Sequence, residues 1–180
     1  MKNIFKTVLT ISLAVFMLLS AVSCGDKAPD MEKLSPELED LGATVDGDTV
    51  ILSHDSAEKQ ADQWRYLNES FSESEHLRIQ ATGHACGLTI VANHTEFCYM
   101  YLCALNDEQR QGGIPVAIPK TLIKEFLNQN FPNEVRIPED AVVLVTGTLE
   151  MYEKFSGIST WRAPVLMLTS MELTQIPATV

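Results

Sequence analysis

The chain has 180 residues, and its 13 lysines and arginines against 24 aspartates and glutamates give a formal net charge of −11 at pH 7. This length suits one domain and leaves little room for a second large one. The 46% share of apolar residues supplies a core and excludes a wholly disordered chain, and the acidic balance argues against binding to a phosphate backbone.

The first 23 residues have the pattern of a secretory signal peptide. Lys2 and Lys6 form a basic start, residues 8–19 are almost all apolar, and small residues then lead into Cys24. The apolar stretch is too short and wrongly flanked for an ordinary membrane-spanning helix. Removal of residues 1–23 takes away two lysines and no acidic residue, so the exported part would carry a net charge of −13.

The residues before Cys24 also indicate an anchor. The run Ala21-Val22-Ser23-Cys24 resembles the lipobox of bacterial lipoproteins. That resemblance implies that Cys24 is lipidated on its sulfur, becomes the mature N-terminus and holds the protein on a membrane of the bacterial cell envelope, facing outside the cytoplasm. A plain secretory signal with an incidental cysteine is the alternative.

Residues 24–45 are predicted to be an acidic tether. Residues 25–40 contain six acidic residues but only two lysines, and Pro29 and Pro36 would interrupt any long helix. Such a segment is self-repelling and extended, and it would lift a domain off the membrane. A short helix around residues 36–41 that packs on the domain is the alternative.

The folded domain is predicted over residues 46–180. A short strand at residues 49–52 precedes a helix that runs to about Glu69, with Trp64 as a core anchor. The remaining elements follow from period-two alternation in strands and from one apolar stripe in a helix. They are strands near residues 77–91, 96–105, 114–118, 141–151 and 161–173, and a helix over residues 119–130.

This element order predicts the fold class. Three strands, a helix and two strands make the order of the OB-fold, a five-stranded Greek-key barrel, here preceded by an extra N-terminal helix. The chain is therefore predicted to be α+β, mainly β, with two helices. Residues 137–149 followed by 161–166 also resemble the last two strands of bacterial OB-fold lipoproteins of uncharacterised function, in which Gly147 would mark the coiling of the strand. The resemblance names no catalytic residue.

The cysteines suggest a disulfide. If Cys24 is lipidated, Cys86, Cys98 and Cys103 remain, and a disulfide persists outside the cytoplasm. Cys98 and Cys103 are five residues apart, on opposite faces of a regular strand, which disfavours their direct pairing. We predict a Cys86–Cys98 bridge across a hairpin; pairing of Cys86 with Cys103, or three small buried thiols, are the alternatives.

Metal binding and catalysis find little support in the sequence. His84, Cys86, His94 and Cys98 fall within fifteen residues, but they lack the tight ligand pairs of a zinc site. No nucleophile elbow, phosphate loop or dinucleotide glycine pattern is present. We therefore expect no cofactor, no metal and no catalytic residue. An extracytoplasmic enzyme or metal-handling protein that uses these four residues is the alternative.

The second strand of the barrel carries a candidate ligand face. Phe97, Tyr99 and Tyr101 alternate along it, and such aromatic rings stack bases or sugars on OB-folds, although they also commonly fill a barrel interior. We predict a membrane-anchored lipoprotein that acts as a non-enzymatic binding or envelope-accessory module. Its partners would be the membrane, through Cys24, and a protein, peptide or glycan, but not nucleic acid.

Overall fold

A computed structural model of the chain describes residues 28–89, 96–107, 113–138, 141–155 and 160–174. The predicted signal peptide, Cys24 and His94 lie outside the described residues. The strands within these ranges are β1 (Thr44–Asp46), β2 (Thr49–Ile51), β3 (Arg78–Thr89), β4 (Phe97–Cys103), β5 (Ile114–Pro119), β6 (Val142–Phe155) and β7 (Thr160–Leu173). The helices there are α1 (Met31–Asp40), α2 (Ala57–Glu69), α3 (Phe71–Ser74) and α4 (Lys120–Asn130).

Five of the strands close into a barrel. They are hydrogen-bonded in the order β3-β4-β5-β7-β6, and β6 returns to pair with β3. The β5–β7 pair is parallel, whereas the other pairs of this ring are antiparallel. Helix α4 joins the third barrel strand to the fourth, which is the OB-fold arrangement. The predicted α+β class and OB-fold-like domain are therefore confirmed.

The predicted numbers of strands and helices are wrong. The sheet has seven strands, because β1 and β2 form a short hairpin and β2 adds in parallel to the start of β3. The described residues form four helices where two were predicted. β2 is the short strand predicted at residues 49–52, whereas β1, with three residues, and α3, with four, lack the length over which a period of two or of 3.6 can be recognised.

The barrel interior is filled by alternate residues of its strands. On β4 the side chains of Cys98, Met100 and Leu102 are buried in the core, and α4 contributes Ile123 and Phe126 to the same cluster. Gly147 lies at a register shift between β6 and β7, where an added Cβ would lie 2.3 Å from the carbonyl oxygen of Met167. The absence of a side chain therefore lets the two strands approach closely at the predicted coiling point.

Helix α1 corrects the predicted tether over residues 24–45. Asp30 caps the helix, and Leu34 and Leu38, four residues apart on one face, are fully buried. The Asp30 amide donates to the Glu73 carbonyl oxygen at 2.9 Å, so the folded part begins by residue 30. The count of charged residues did not indicate that this segment is an amphipathic helix. Burial of its two leucines stabilises the helix by more than the repulsion among its acidic residues destabilises it. The alternative prediction, a short helix around residues 36–41 that packs on the domain, agrees better with the structure, although the helix begins at Met31.

A buried glutamine of α2, Gln63, ties the end of α1 to α2. The Ser53 amide donates to Gln63 Oε1 at 2.9 Å, and Gln63 Nε2 donates to the carbonyl oxygen of Leu41 at 3.0 Å. Because Gln63 is fully buried, these bonds satisfy an amide that would otherwise be costly to enclose. Trp64, the predicted core anchor, is only partly buried, whereas Leu67 on the same helix is fully buried. In the described part of the chain, no helix has the length and apolar character needed to cross a bilayer.

Candidate ligand-binding face

The predicted aromatic face lies on the outside of the barrel. Cys98, Met100 and Leu102 point inward and are at most 2% exposed. Because neighbouring residues of a strand point to opposite faces, Phe97, Tyr99 and Tyr101 point outward. Tyr101 is 55% exposed, which is unusual for a large apolar ring in this protein. The alternative that these three rings fill the barrel interior does not describe the structure.

A second strand adds a ring that the sequence analysis missed. Tyr152, on β6, lies beside Tyr99 with their ring centroids 5.1 Å apart and their planes inclined at 52°. This tilted geometry is typical of favourable aromatic pairs. The alternation of β6, with Leu149 buried, could have indicated that Tyr152 faces outward. The contact of Tyr152 with Tyr99 on β4 depends on the strand register of the closed barrel, which cannot be read from the sequence.

The face is supported by small buried residues. Ala117, on β5, lies directly opposite Tyr99 in the strand register and is fully buried although it is on the outer side of the barrel. Val165, on β7, is 2% exposed and lies outside the main core cluster. The outer side of the barrel therefore carries buried apolar side chains as well as the aromatic rings.

The hydroxyl of Tyr99, in this face, is held in its neutral form. Burial, and then the neighbouring Tyr152 side chain, raises the pKa of Tyr99 well above its ordinary value. The hydroxyl therefore stays protonated throughout the physiological range. On the opposite side of the same strand, burial raises the pKa of the Cys98 thiol, against the opposing effect of Lys120 and Lys124.

A cleft continues the face at its Phe97 end. Its volume is about 570 Å³, and it lies where β4 begins and β5 passes into α4. The lining residues are Glu96, Phe97, Pro119, Lys120 and Thr121. The Lys120 amide donates to the Glu96 carbonyl oxygen at 2.9 Å, which fixes the two walls together. The cleft thus offers an aromatic surface between side chains of both charge signs.

The predicted Cys86–Cys98 bridge is not formed. Cys86 lies opposite Tyr101 in the strand register and therefore points outward, whereas Cys98 points into the barrel. Two thiols on opposite faces of a sheet cannot reach bonding distance. Among the described residues, Cys86 and Cys98 are therefore not joined by a disulfide.

The alternative metal site is not brought together either. His84 and Cys86 are on the outer side of β3, and Cys98 is inside the barrel. His94 falls outside the described residues. Within the ranges that the structure describes, no three histidine, cysteine or acidic side chains lie close enough to hold a metal ion.

Comparison with known proteins finds similar folds only. No family model matches the sequence. No curated protein matches it either. The OBody AM2EP06, solved in complex with hen egg-white lysozyme, is 12% identical with a TM-score of 0.39, and the match covers 68% of this chain and 92% of the OBody. Rim1, a mitochondrial single-stranded DNA-binding protein from S. cerevisiae, is 14% identical with a TM-score of 0.36, over 55% of this chain and 95% of Rim1.

The comparison corrects one expectation about partners. Nucleic acid was excluded as a ligand because the protein is acidic. A single-stranded DNA-binding protein is nevertheless among the solved structures similar to this chain, and the exclusion is withdrawn. Net charge is summed over a whole chain, whereas a ligand contacts one face of it. At this level of similarity the neighbour's ligand is not transferred to this chain.

Proposed function

We propose that this protein is a non-enzymatic binding module that takes its ligand on the outward aromatic face formed by Phe97, Tyr99, Tyr101 and Tyr152. The observation that carries the proposal is the position of these rings. The barrel has a complete core without them, yet Tyr101 is 55% exposed beside a packed tyrosine pair. Exposed rings on a rigid strand stack against flat or apolar ligand surfaces with little loss of conformational entropy.

We further propose that the module is a lipoprotein held on the outer side of a bacterial membrane through Cys24. The lipobox-like run before Cys24 supports the anchor. Because the fold begins by Asp30, at most residues 25–29 separate the anchor from the domain, and five extended residues span at most about 18 Å. The domain would therefore stay close to the membrane surface. Labelling with palmitate tests the anchor: the chain should label, and a Cys24→Ala chain that still labels would contradict it.

Equilibrium binding tests the aromatic face. Purified protein is titrated with a chito-oligosaccharide, an uncharged extended peptide and oligo-dT, each at low and high salt, since only a phosphate-dominated interaction weakens steeply with salt. We expect one of these classes to bind, and Tyr101→Ser to weaken it by about tenfold or more, the scale of one lost stacking contact. Val135→Ser, which changes an 80% exposed side chain in the segment that follows α4, is the control. Binding that is equal in Tyr101→Ser, or found with none of the three, would contradict the proposal.

A further inference from the structure

A carboxylate lies on the same outer side of the barrel as the tyrosine pair. Glu150 is two residues before Tyr152 on β6, and because side chains alternate along a strand, the two point to the same side. Leu149, the neighbour of Glu150, is fully buried, as this alternation requires. Val165, on the outer side of β7, lies directly opposite Glu150 in the strand register. Glu150 therefore extends the aromatic face along β6.

His76 holds this carboxylate by one of its two oxygens. His76 Nδ1 donates to Glu150 Oε1 at 2.9 Å. The side chains of His76 and Glu150 are 34% and 29% exposed, so the pair is open to the solvent. Since a carboxylate accepts at both oxygens, Glu150 Oε2 can accept a hydrogen bond from a group outside the chain.

The backbone at His76 has a form that directs the imidazole ring toward β6. Its φ is +64°, in the left-handed region that residues other than glycine rarely adopt. The His76 amide donates to the Leu149 carbonyl oxygen, and the Leu149 amide donates to the Leu77 carbonyl oxygen, both at 2.9 Å. Two consecutive residues thus face one residue of β6, which is a β-bulge. Bulges and left-handed residues redirect side chains, and both are common beside functional sites.

Arg78 adds a hydrogen-bond donor to the same side of the barrel. It is the first residue of β3 and is exposed, whereas the next residue, Ile79, is fully buried. The alternation of the strand therefore directs Arg78 outward. Thr148 lies opposite Arg78 in the register, two residues before Glu150 on β6. A guanidinium group, a hydroxyl group and a carboxylate thus adjoin the tyrosine pair.

This combination of groups favours one class of ligand. Hydroxyl groups can donate to a carboxylate and also accept from a guanidinium group, so a ligand rich in hydroxyl groups satisfies both Glu150 and Arg78. The C–H groups on one face of a sugar ring pack against an aromatic ring. A chain of phosphates would instead bring negative charge toward Glu150, which is unfavourable. A carbohydrate therefore matches the tyrosines and the polar groups together.

We propose that the ligand of the aromatic face is a neutral carbohydrate, whose hydroxyl groups donate to Glu150 Oε2 while the sugar ring packs beside Tyr152. This inference rests on the function proposed above and names the ligand class of the same face. His76 acts as a positioning residue, because it holds Glu150 through Oε1 and leaves Oε2 for the ligand. Arg78 donates to oxygen atoms of the same carbohydrate.

Two neutral tetrasaccharides, cellotetraose and chitotetraose, test the proposal in calorimetric titrations. At least one should bind, and Glu150→Gln should weaken its binding about tenfold, because the charged acceptor of a hydrogen bond is lost. Glu153→Gln is the matched control. It removes the same charge from the same strand, but Glu153 points to the opposite side, where it lies 3.7 Å from Arg162. This control should bind the sugar as the unmodified protein does.

A double variant tests the role of His76. His76→Asn removes the imidazole, and asparagine tolerates the left-handed backbone conformation. This variant should also weaken binding of the tetrasaccharide. The double variant with Glu150→Gln should be no weaker than Glu150→Gln alone, because both changes act on the same contact. Additive losses would show that His76 does not act through Glu150 and would overturn its positioning role.

The remaining outcomes separate this inference from the function proposed above. If neither tetrasaccharide binds, the carbohydrate assignment is overturned. The proposed function then still stands if the peptide or oligo-dT binds and Tyr101→Ser weakens it, and it fails as well if no ligand binds. Equal affinities of Glu150→Gln and Glu153→Gln for the sugar would also overturn the assignment. Arg78→Gln, a change of an exposed residue, provides a second variant that should weaken binding, and each variant is checked for a cooperative thermal melt.

Discussion

Replacement of Leu38 by alanine distinguishes a docked helix from a tether. Leu38 lies on α1 and is fully buried, as is Leu34 one turn before it. Truncation of a buried leucine to alanine removes its transfer free energy and leaves a cavity, which together lower the free energy of unfolding by about 2.7–5 kcal/mol. An expected loss of about 3 kcal/mol follows for Leu38→Ala. In a domain of about 150 residues this corresponds to a Tm lower by about 6–12 °C.

The measurement is urea unfolding of the purified protein, supported by a thermal melt. Val135→Ala is the control, because it shortens an aliphatic side chain that is 80% exposed, and it should change stability by less than about 0.5 kcal/mol. If residues 31–40 were an extended tether, Leu38→Ala would behave like this control. A change below about 0.5 kcal/mol in Leu38→Ala would therefore refute the packing described for α1.

Three further predictions concern the barrel, the acid side of the stability curve and the thiols. Gly147→Ala should destabilise the protein by about 2 kcal/mol or more, because the new Cβ would lie 2.3 Å from a carbonyl oxygen of β7. Gly47→Ala is the control: Gly47 has a φ of +62° but lies in open space, so this variant should lower the free energy of unfolding by only about 1 kcal/mol. Equal losses in the two variants would contradict the close approach of β6 and β7 at Gly147. The hydrogen bond from Lys33 lowers the pKa of Glu73 from 4.5 to about 2. The contribution of ionised Glu73 to the stability of the fold is therefore complete above pH 4.5 and declines as the pH falls toward 2. The stability difference between the unmodified protein and Glu73→Gln should shrink over that interval in acid-titrated melts, and a constant difference would argue against the pair. A thiol reagent should modify Cys86 before the buried Cys98, and the reverse order by mass spectrometry would contradict their placement.

Much of the barrel was predictable because its strands are long and alternate. The strand predicted at residues 161–173 is β7, at Thr160–Leu173, and the helix predicted at residues 119–130 is α4. The alternation of β4 also separated the outward rings from the inward residues. Periodicity shows which residues of a strand share a face, and in a barrel this determines which side chains point inward and which point outward.

The rest depended on contacts between distant segments. Helix α1 is held on the domain by the buried side chains of Leu34 and Leu38. It is also held by the ion pair of Lys33 with Glu73, two residues that are 40 positions apart in the sequence. Residue 152 joins the aromatic face only through the register of the closed barrel. The bridge predicted between Cys86 and Cys98 failed because proximity along a hairpin does not determine which face each thiol occupies.

Mapping of the bound ligand on the protein tests the central claim most directly. Amide and side-chain chemical shifts are followed while the protein is titrated with whichever of the three ligand classes binds. We predict that the largest shifts fall on Phe97, Tyr99, Tyr101 and Tyr152, and that they disappear in Tyr101→Ser. Shifts that fall on another surface of the barrel, or that persist unchanged in Tyr101→Ser, would contradict the account.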